Sequence, residues 1–424
     1  MGKKIQLVYA TPEGELRLEP ELRALAAAGE EYWELTGDDL IPLPPGASLF
    51  CLPERQPLGL EDATGEVAII DEPGLTAVAA ILPQGYTRTL LPAYRRRPGA
   101  PPLPLFGYTA VAAMDGDLYV AARQTDEDEK WNPLVYNTPD LPGLIQKKLA
   151  AHPANRILRQ LAKCAREYRC FTAQNIFYHR WEGGIPVSPG CNARCLGCIS
   201  KQAAECCPSP QGRIAFRPSV AEVVEVALTH LSAVDAIVSF GQGCEGEPLL
   251  AWEVIKEAIT ALRRETAGGT ININTNAGLP DALAALAGAG LDSARISLFS
   301  ADPAAYRLYH RPQGYSLEEV GASIDRLRRE SVFVALNLLV MPGFTDLKSQ
   351  MEKFFAFLAA HPVNMIQLRN LNIDPELLWG RLKKGGLDLS GEPAGISTFL
   401  AELGKRFPEL LVGNYSRAVP RHAE

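Results

Sequence analysis

The chain has 424 residues, of which 47% are hydrophobic and 21% charged, with a net charge of −7. That length fits roughly two or three domains with a core that needs no disulfides, and the acidic balance excludes a protein that coats nucleic acid by charge alone. The apolar run within Met1–Ala10 is too short for a signal-peptide core, and no stretch approaches the roughly 18 apolar residues that span a bilayer; a cytoplasmic protein without a membrane partner is expected.

The first third is proline-rich, with segments such as Pro101-Pro102-Leu103-Pro104 between short apolar strands at Val67–Ile70 and Leu75–Leu82. Phe106–Met114 and Asp117–Arg123 flank Asp115-Gly116, a dipeptide that favours the tight turn of a hairpin. Residues 1–140 therefore read as a small β-rich N-terminal domain whose role the sequence leaves open. Residues 141–182 read as a helical connector, with Arg156, Arg159, Lys163, Arg166 and Arg169 along it as a solvated face or a phosphate- or partner-binding one.

From Gly183 onward strands and helices alternate. Strands are expected at Ile185–Ser188, Ala236–Gly241, Thr270–Asn276, Ser293–Phe299, Phe333–Val340 and Met365–Leu371. Helices are expected at Ser219–Ser232, Leu249–Arg264, Pro280–Ala289, Leu317–Glu330 and Asp346–Ala360. A repeated βα order implies a parallel sheet with helical crossovers, and six units over about 190 residues suit a partial (βα)6 barrel better than a full one. The barrel is placed at 183–375 and a C-terminal helical extension and tail at 376–424.

One parity of these strands is polar. Asn272, Asn274 and Asn276 alternate with Ile271 and Ile273; Arg295 and Ser297 with Ile296 and Leu298; Gln367 and Arg369 with Ile366 and Leu368. Because successive side chains take opposite faces, the polar set is expected to share one lumen. Its polar groups need partners, either a ligand or one another. The segment Gln367–Pro375 at the last strand end is expected beside a substrate.

Five of the nine cysteines, Cys191, Cys195, Cys198, Cys206 and Cys207, crowd one short stretch, which in a reducing compartment signals metal or catalysis rather than disulfides. Cys191, Cys195 and Cys198 follow the first barrel strand, at the mouth where α/β barrels carry their chemistry. Three thiolates leave one position of a four-iron cluster open. Cys191-Asn192-Ala193-Arg194-Cys195-Leu196-Gly197-Cys198 resembles the CxxxCxxC signature of the radical S-adenosylmethionine (SAM) superfamily, over about Gly183 to Ile373. Gly197 stands where relatives commonly carry an aromatic residue. Glu245-Gly246-Glu247-Pro248, after the second strand, resembles the family's GGEP motif, with Glu245 in place of its first glycine.

The resemblance implies an enzyme that reductively cleaves SAM at a [4Fe–4S] cluster to a 5′-deoxyadenosyl radical, which abstracts hydrogen from a substrate. It implies cluster ligation by Cys191, Cys195 and Cys198, and SAM contacts at Gly246, Glu247, Thr275, Asn276, Ser297 and Asn337; Arg369 and Arg295, as guanidinium cations on the polar parity, are further candidate partners for a SAM or substrate carboxylate. The cluster would take electrons from a donor such as a flavodoxin or ferredoxin. The substrate stays open among a small molecule, a protein side chain and an RNA. Two other readings compete: a structural zinc site on Cys191, Cys195, Cys198 and Cys207, and a cluster-binding module without catalysis. A second cluster on Cys164, Cys170, Cys206 and Cys207 is disfavoured against buried or incidental thiols, and Cys51 and Cys244 show no paired spacing.

Overall fold

The computed structural model describes residues 4–103, 105–127, 129–201 and 211–419. Among these the chain forms twenty strands, β1 to β20 between Gln6 and Gly413, and eleven α-helices, α1 to α11 between Leu141 and Arg406. No described helix is long and apolar enough to cross a membrane. The chain packs as two units. The first comprises Met1–Asp128, Leu339–Phe355 and Leu368–Pro408; the second comprises Glu129–Leu338, Ala356–Gln367 and Glu409–Glu424.

In the first unit, β1 to β13 form one antiparallel thirteen-stranded sheet. The expected hairpin is present: β12 (Tyr108–Met114) pairs with β13 (Asp117–Gln124) across Asp115 and Gly116, both at positive φ (52° and 88°). Positive φ at both central positions matches the turn to the strands' right-handed twist. The core is built from small side chains, including Ala24, Ala26, Ala28, Ala110, Ala112 and Ala121.

Residues Leu368–Pro408 belong to the same unit, and their side chains meet this sheet through hydrogen bonds. Arg88, fully buried, donates to the carbonyls of Phe106, Tyr108 and Leu371 at 3.2, 3.1 and 2.7 Å. Asp374 pairs with buried Arg55 at 3.4 Å and accepts from the Leu103 amide at 2.6 Å. Asn370 accepts from the Arg88 amide at 3.0 Å. Asn370 and Asp374 thus satisfy buried groups of the first unit, and this part of the expected substrate edge serves the fold. The Arg369 guanidinium likewise donates to Gln84 at 3.3 Å.

The second unit opens with α1 (Leu141–Ala151), α2 (Arg156–Glu167) and α3 (Phe171–Tyr178). The Asn155 side chain caps α2 by accepting from the Leu158 amide, an interaction worth about 1 kcal/mol. Arg156 is held by Glu222, with contacts of 2.9 and 2.6 Å, and Lys163 lies 3.9 Å from Glu167; these cations serve ordinary pairing.

Then comes the parallel half-barrel: β14 (Glu182–Gly184), β15 (Ile237–Phe240), β16 (Thr270–Thr275), β17 (Ser293–Leu298), β18 (Phe333–Val340), β19 (Met365–Asn370) and β20 (Leu411–Gly413), neighbours in that order. Pairings from β14 to β18, and of β19 with β20, are parallel. The helices include α4 (Val220–Leu231), α5 (Trp252–Glu265), α6 (Pro280–Ala289), α7 (Pro303–His310), α8 (Leu317–Arg329) and α9 (Lys348–Ala360). Ser219–Glu222 and Ser316–Glu319 form reciprocal capping boxes on α4 and α8. Apolar parity faces the packing as expected, with Ile271, Ile273, Ala294 and Ile296 fully buried.

Three details depart from the expectations of the sequence. The sheet has seven strands rather than six, because three-residue β20 returns to its edge. The first strand lies at Glu182–Gly184 rather than Ile185–Ser188: the Val187 and Ser188 amides donate to the Glu245 carboxylate at 2.7 and 2.9 Å, which removes them from a strand ladder. Helix α7, which has no counterpart among the expected helices, is started by the Asp302 cap and Pro303 at its first position.

Candidate functional site

The cysteine loop leaves the sheet after β14 and is held by backbone on two sides. The Gly246 amide donates to the Ser188 carbonyl and the Glu247 amide to the Gly190 carbonyl, both at 2.7 Å. A side chain at Gly246 would put its Cβ 1.8 Å from the Gly190 oxygen, so only glycine permits the approach. On the other side, the Arg194 and Leu196 amides donate to the carbonyls of His310 and Tyr309 at 3.1 and 3.0 Å, and the Gln313 amide to the Asn192 carbonyl at 2.8 Å. Helix α7 and the turn after it therefore brace the loop.

Glu245, the departure from the GGEP pattern, is a backbone clamp. One carboxylate oxygen accepts from the Val187 and Ser188 amides, and the other from the Gly241 and Gln242 amides at 2.5 and 3.0 Å. It ties the two strand ends that frame the loop. Burial raises its pKa to about 7 against the pull of those four N–H groups.

Glu247 also points into the protein. Its carboxylate accepts from the Thr275 hydroxyl at 2.5 Å, the Asn276 amide at 2.9 Å and the Leu249 amide at 3.1 Å, and burial raises its pKa to about 7. Asn276 in turn donates to the Asn192 side chain inside the cysteine loop at 2.7 Å. Gly246, Glu247, Thr275 and Asn276 are thus brought together with the loop as one hydrogen-bonded collar. Ser297 and Asn337 are register partners on β17 and β18 and are both half-buried. Arg369 is spent on Gln84, in the first unit.

Deeper in the lumen the polar parity closes on itself. Arg295 is ion-paired to Glu182 and also donates to Asn274, Ser416 and Gln367. Ser239 donates to Glu182 at 2.6 Å, Asn272 to Ser239 at 3.0 Å, Ser293 to Asn272 at 2.9 Å and Gln367 to the Tyr415 carbonyl at 2.8 Å. The cavity left there is about 10 Å³, the size of a single water. Arg295 is therefore already paired within the protein. Glu182, which no sequence pattern singles out, neutralises it.

Cys191, Cys195 and Cys198 are free and half-buried. Burial pushes the Cys195 thiol up, and the neighbouring Cys198 and Cys191 charges push it further. Burial also raises Cys191, while Arg213 draws it back. Three thiols whose negative charges oppose one another suit a bound cationic centre, which would deprotonate them. Among the described residues no three His, Cys, Asp or Glu side chains gather tightly enough for one metal ion. Thiolates sharing a single zinc stand about 4 Å apart, given bonds of about 2.3 Å; thiolates on separate irons of a cubane stand wider. Three thiols from one loop are a donor set that a four-iron cluster with one open iron would use. Cys206 and Cys207 lie outside the described residues.

Other contacts leave no mark in the sequence. The Cys195 sulfur lies 3.5 Å from His310 Nδ1, and Cys198 lies 3.5 Å from Ser200 Oγ and 3.9 Å from an Arg213 nitrogen. Cys164 sits on α2 and Cys170 caps α3, so they do not share a helix. Cys164 accepts from the Gln160 side chain at 3.4 Å, and Cys244 is buried. Cys195 and His310 lie 115 residues apart, and spacing carries no signal for that pair.

Residues 185–358 match the family model described as the Radical SAM superfamily, whose cofactors are SAM and a [4Fe–4S] cluster. No curated protein matches the chain. Among solved structures, it is similar to methylornithine synthase (PylB), at 14% identity over 64% of this chain and 74% of that one, with a TM-score of 0.38. It is similar to Streptococcus suis SuiB bound to precursor peptide SuiA, at 11% identity over 65% and 61%, with a TM-score of 0.37. It is also similar to native anSMEcpe with bound AdoMet, at 16% identity over 44% of this chain and 52% of that one, with a TM-score of 0.35. The chain thus spans about half the length of this last structure.

Proposed function

We propose, from the match of residues 185–358 to the Radical SAM superfamily model, that the chain is an enzyme that reductively cleaves SAM to start radical chemistry on a substrate at the barrel mouth. The observation that carries the reading is the cysteine loop itself, with three free thiols at the strand ends, braced by α7 on one side and the Gly246–Glu247 backbone on the other. When bound, the cluster and SAM supply one electron and a 5′-deoxyadenosyl radical able to take hydrogen from a substrate C–H bond.

The protein's part is to hold and orient. Cys191, Cys195 and Cys198 would hold the cluster and leave one iron for the amino and carboxylate groups of SAM. Glu247 acts one step back: by accepting from Thr275 and Asn276 it fixes the end of β16, where the Thr275–Asn276 backbone would meet the methionyl end. The half-buried Ser297 and Asn337 supply hydrogen-bonding groups for the remainder of SAM. The closed polar base below them keeps bulk water out. A cytoplasmic setting and a low-potential donor of flavodoxin or ferredoxin type complete the proposal.

Anaerobic incubation of reconstituted protein with SAM and dithionite, followed by mass spectrometry, tests this. 5′-Deoxyadenosine is the expected product. S-Adenosylhomocysteine in its place would indicate methyl transfer, and intact SAM beside a full cluster would leave a binding module.

A further inference from the structure

Two of the three cluster cysteines have a donor aimed at their sulfur, and neither donor belongs to the cysteine motif. His310 closes α7. Its Nε2 lies 3.2 Å from the Phe299 amide, which donates to it, and its Nδ1 lies 3.5 Å from the Cys195 sulfur. An amide N–H can only be accepted by an unprotonated ring nitrogen, so the single ring proton of this neutral imidazole sits on Nδ1 and faces Cys195. The ring is fixed by stacking on Tyr306 (centroids 4.4 Å apart) and by Tyr309 edge-on at 5.0 Å. His310 is 2% exposed, so the bond is sheltered from water.

Arg213 approaches from the other side. One terminal nitrogen lies 2.9 Å from Ser200 Oγ and 3.9 Å from the Cys198 sulfur, and the other donates to the Pro189 carbonyl at 3.4 Å. Its Nε is buried and has no partner among the described residues. An unmet buried donor on a cation beside two cluster cysteines calls for an anion.

We propose that His310 and Arg213 set the reduction potential of the cluster, His310 by an N–H···S bond to Cys195 and Arg213 by its charge and hydrogen bonding at Cys198. The inference rests on the radical SAM reading above. Taking one electron adds a negative charge to a centre already carrying three thiolates, and donors or cations at the sulfurs stabilise that reduced state. Both residues therefore raise the potential and make the cluster easier for a one-electron donor to reduce. They are positioning residues, acting through the cysteines.

The test is a dithionite-poised redox titration of anaerobically reconstituted full-length protein, followed by electron paramagnetic resonance, with iron and sulfide assayed on each sample. Arg213→Gln is expected to keep its iron and lower the reduction equilibrium constant about tenfold, or about 59 mV for one electron. His310→Phe, which removes the donor, is expected to shift it in the same direction. His310→Asn, which returns an N–H near the Nδ1 position, recovers part of the loss. If His310→Phe fails to load iron, Arg213→Gln and His310→Asn still decide. Full iron with unchanged potential in the loaded donor-removing variants overturns the proposal. A wild-type protein that binds no cluster overturns the radical SAM reading instead, so the two failures are distinct.

Discussion

The lower lumen and the mouth of the half-barrel are built from the same strands and the same polar parity, yet they end in opposite states. At the base, Asn272, Ser293, Arg295 and Gln367 are consumed by Glu182, Ser239, Tyr415 and Ser416. At the mouth, three thiols that form no disulfide face donors rather than acceptors, from His310, Ser200 and Arg213, and Ser297 and Asn337 are half-buried. Polar parity therefore identifies a lumen but does not say what fills it. Whether the polar groups already satisfy one another is the property that separates a wall from a site.

The largest effect is expected at the mouth. Replacing Cys191, Cys195 and Cys198 together with Ala should remove the iron–sulfur absorbance and deoxyadenosine formation while the fold persists, because the loop is held by the backbone hydrogen bonds of Arg194, Leu196, Gly246 and Glu247 rather than by its thiols. Iron assay and far-ultraviolet circular dichroism read the two outcomes. A triple variant that retains about four irons would place the cluster elsewhere.

The base should respond in the reverse way. Glu182→Leu leaves the Arg295 guanidinium without its carboxylate in a site where the two side chains are 3% and 10% exposed. Removing one partner of a buried pair costs about 3–5 kcal/mol, so thermal unfolding should fall steeply. SAM affinity of the folded fraction should change little. A Glu182→Leu protein with native stability would mean the base network is not what closes the lumen.

Much of this contrast is legible in the amino-acid sequence. The alternation of Ile271 and Ile273 with Asn272 and Asn274 marks the strand and its faces, and the cysteine spacing marks the mouth. Glu182 is invisible there because the first strand is only three residues long and its polar partner sits on β17, more than a hundred residues on. His310 and Arg213 escape notice for a related reason. Each reaches its cysteine through folding, and no local pattern distinguishes it from a surface residue. Glu245 looks like a lost glycine, and only the four amides around it explain a carboxylate there.

The mouth carboxylates also predict a pH response. Burial lifts Glu247 from 4.5 to about 7, so between those values the folded state holds a proton that the unfolded state has lost. Stability from this group accordingly falls as pH rises from about 5 to 7, by at most about 3 kcal/mol, and then levels. His230, lowered by burial to about 4, acts oppositely: its contribution rises from pH 4 to 6.5. The two are separated by difference. In iron-free protein, the melting temperature of wild type minus that of Glu247→Gln should drop between pH 5 and 7.5, and a flat difference would mean Glu247 titrates as an ordinary carboxylate.

The smallest effect sharpens the border between wall and site, because Glu247 belongs to both. It lies at the mouth but is satisfied like a base residue, accepting from Thr275, Asn276 and Leu249. Glu247→Ala should leave cluster loading intact, since no cluster cysteine hydrogen-bonds to it. It should release the Thr275 hydroxyl and the Asn276 amide, and with them the end of β16. A backbone edge displaced by a fraction of an ångström costs hydrogen bonds to a ligand it positions, so SAM should bind about tenfold more weakly, equivalent to about 1.4 kcal/mol. Glu247→Gln keeps an oxygen acceptor for Asn276 and should lose less. Titrating SAM against the reduced cluster by electron paramagnetic resonance measures both. Equal affinity in wild type and Glu247→Ala would show that the Glu247–Thr275–Asn276 collar serves only the fold, and would move the boundary between wall and site up to Ser297 and Asn337.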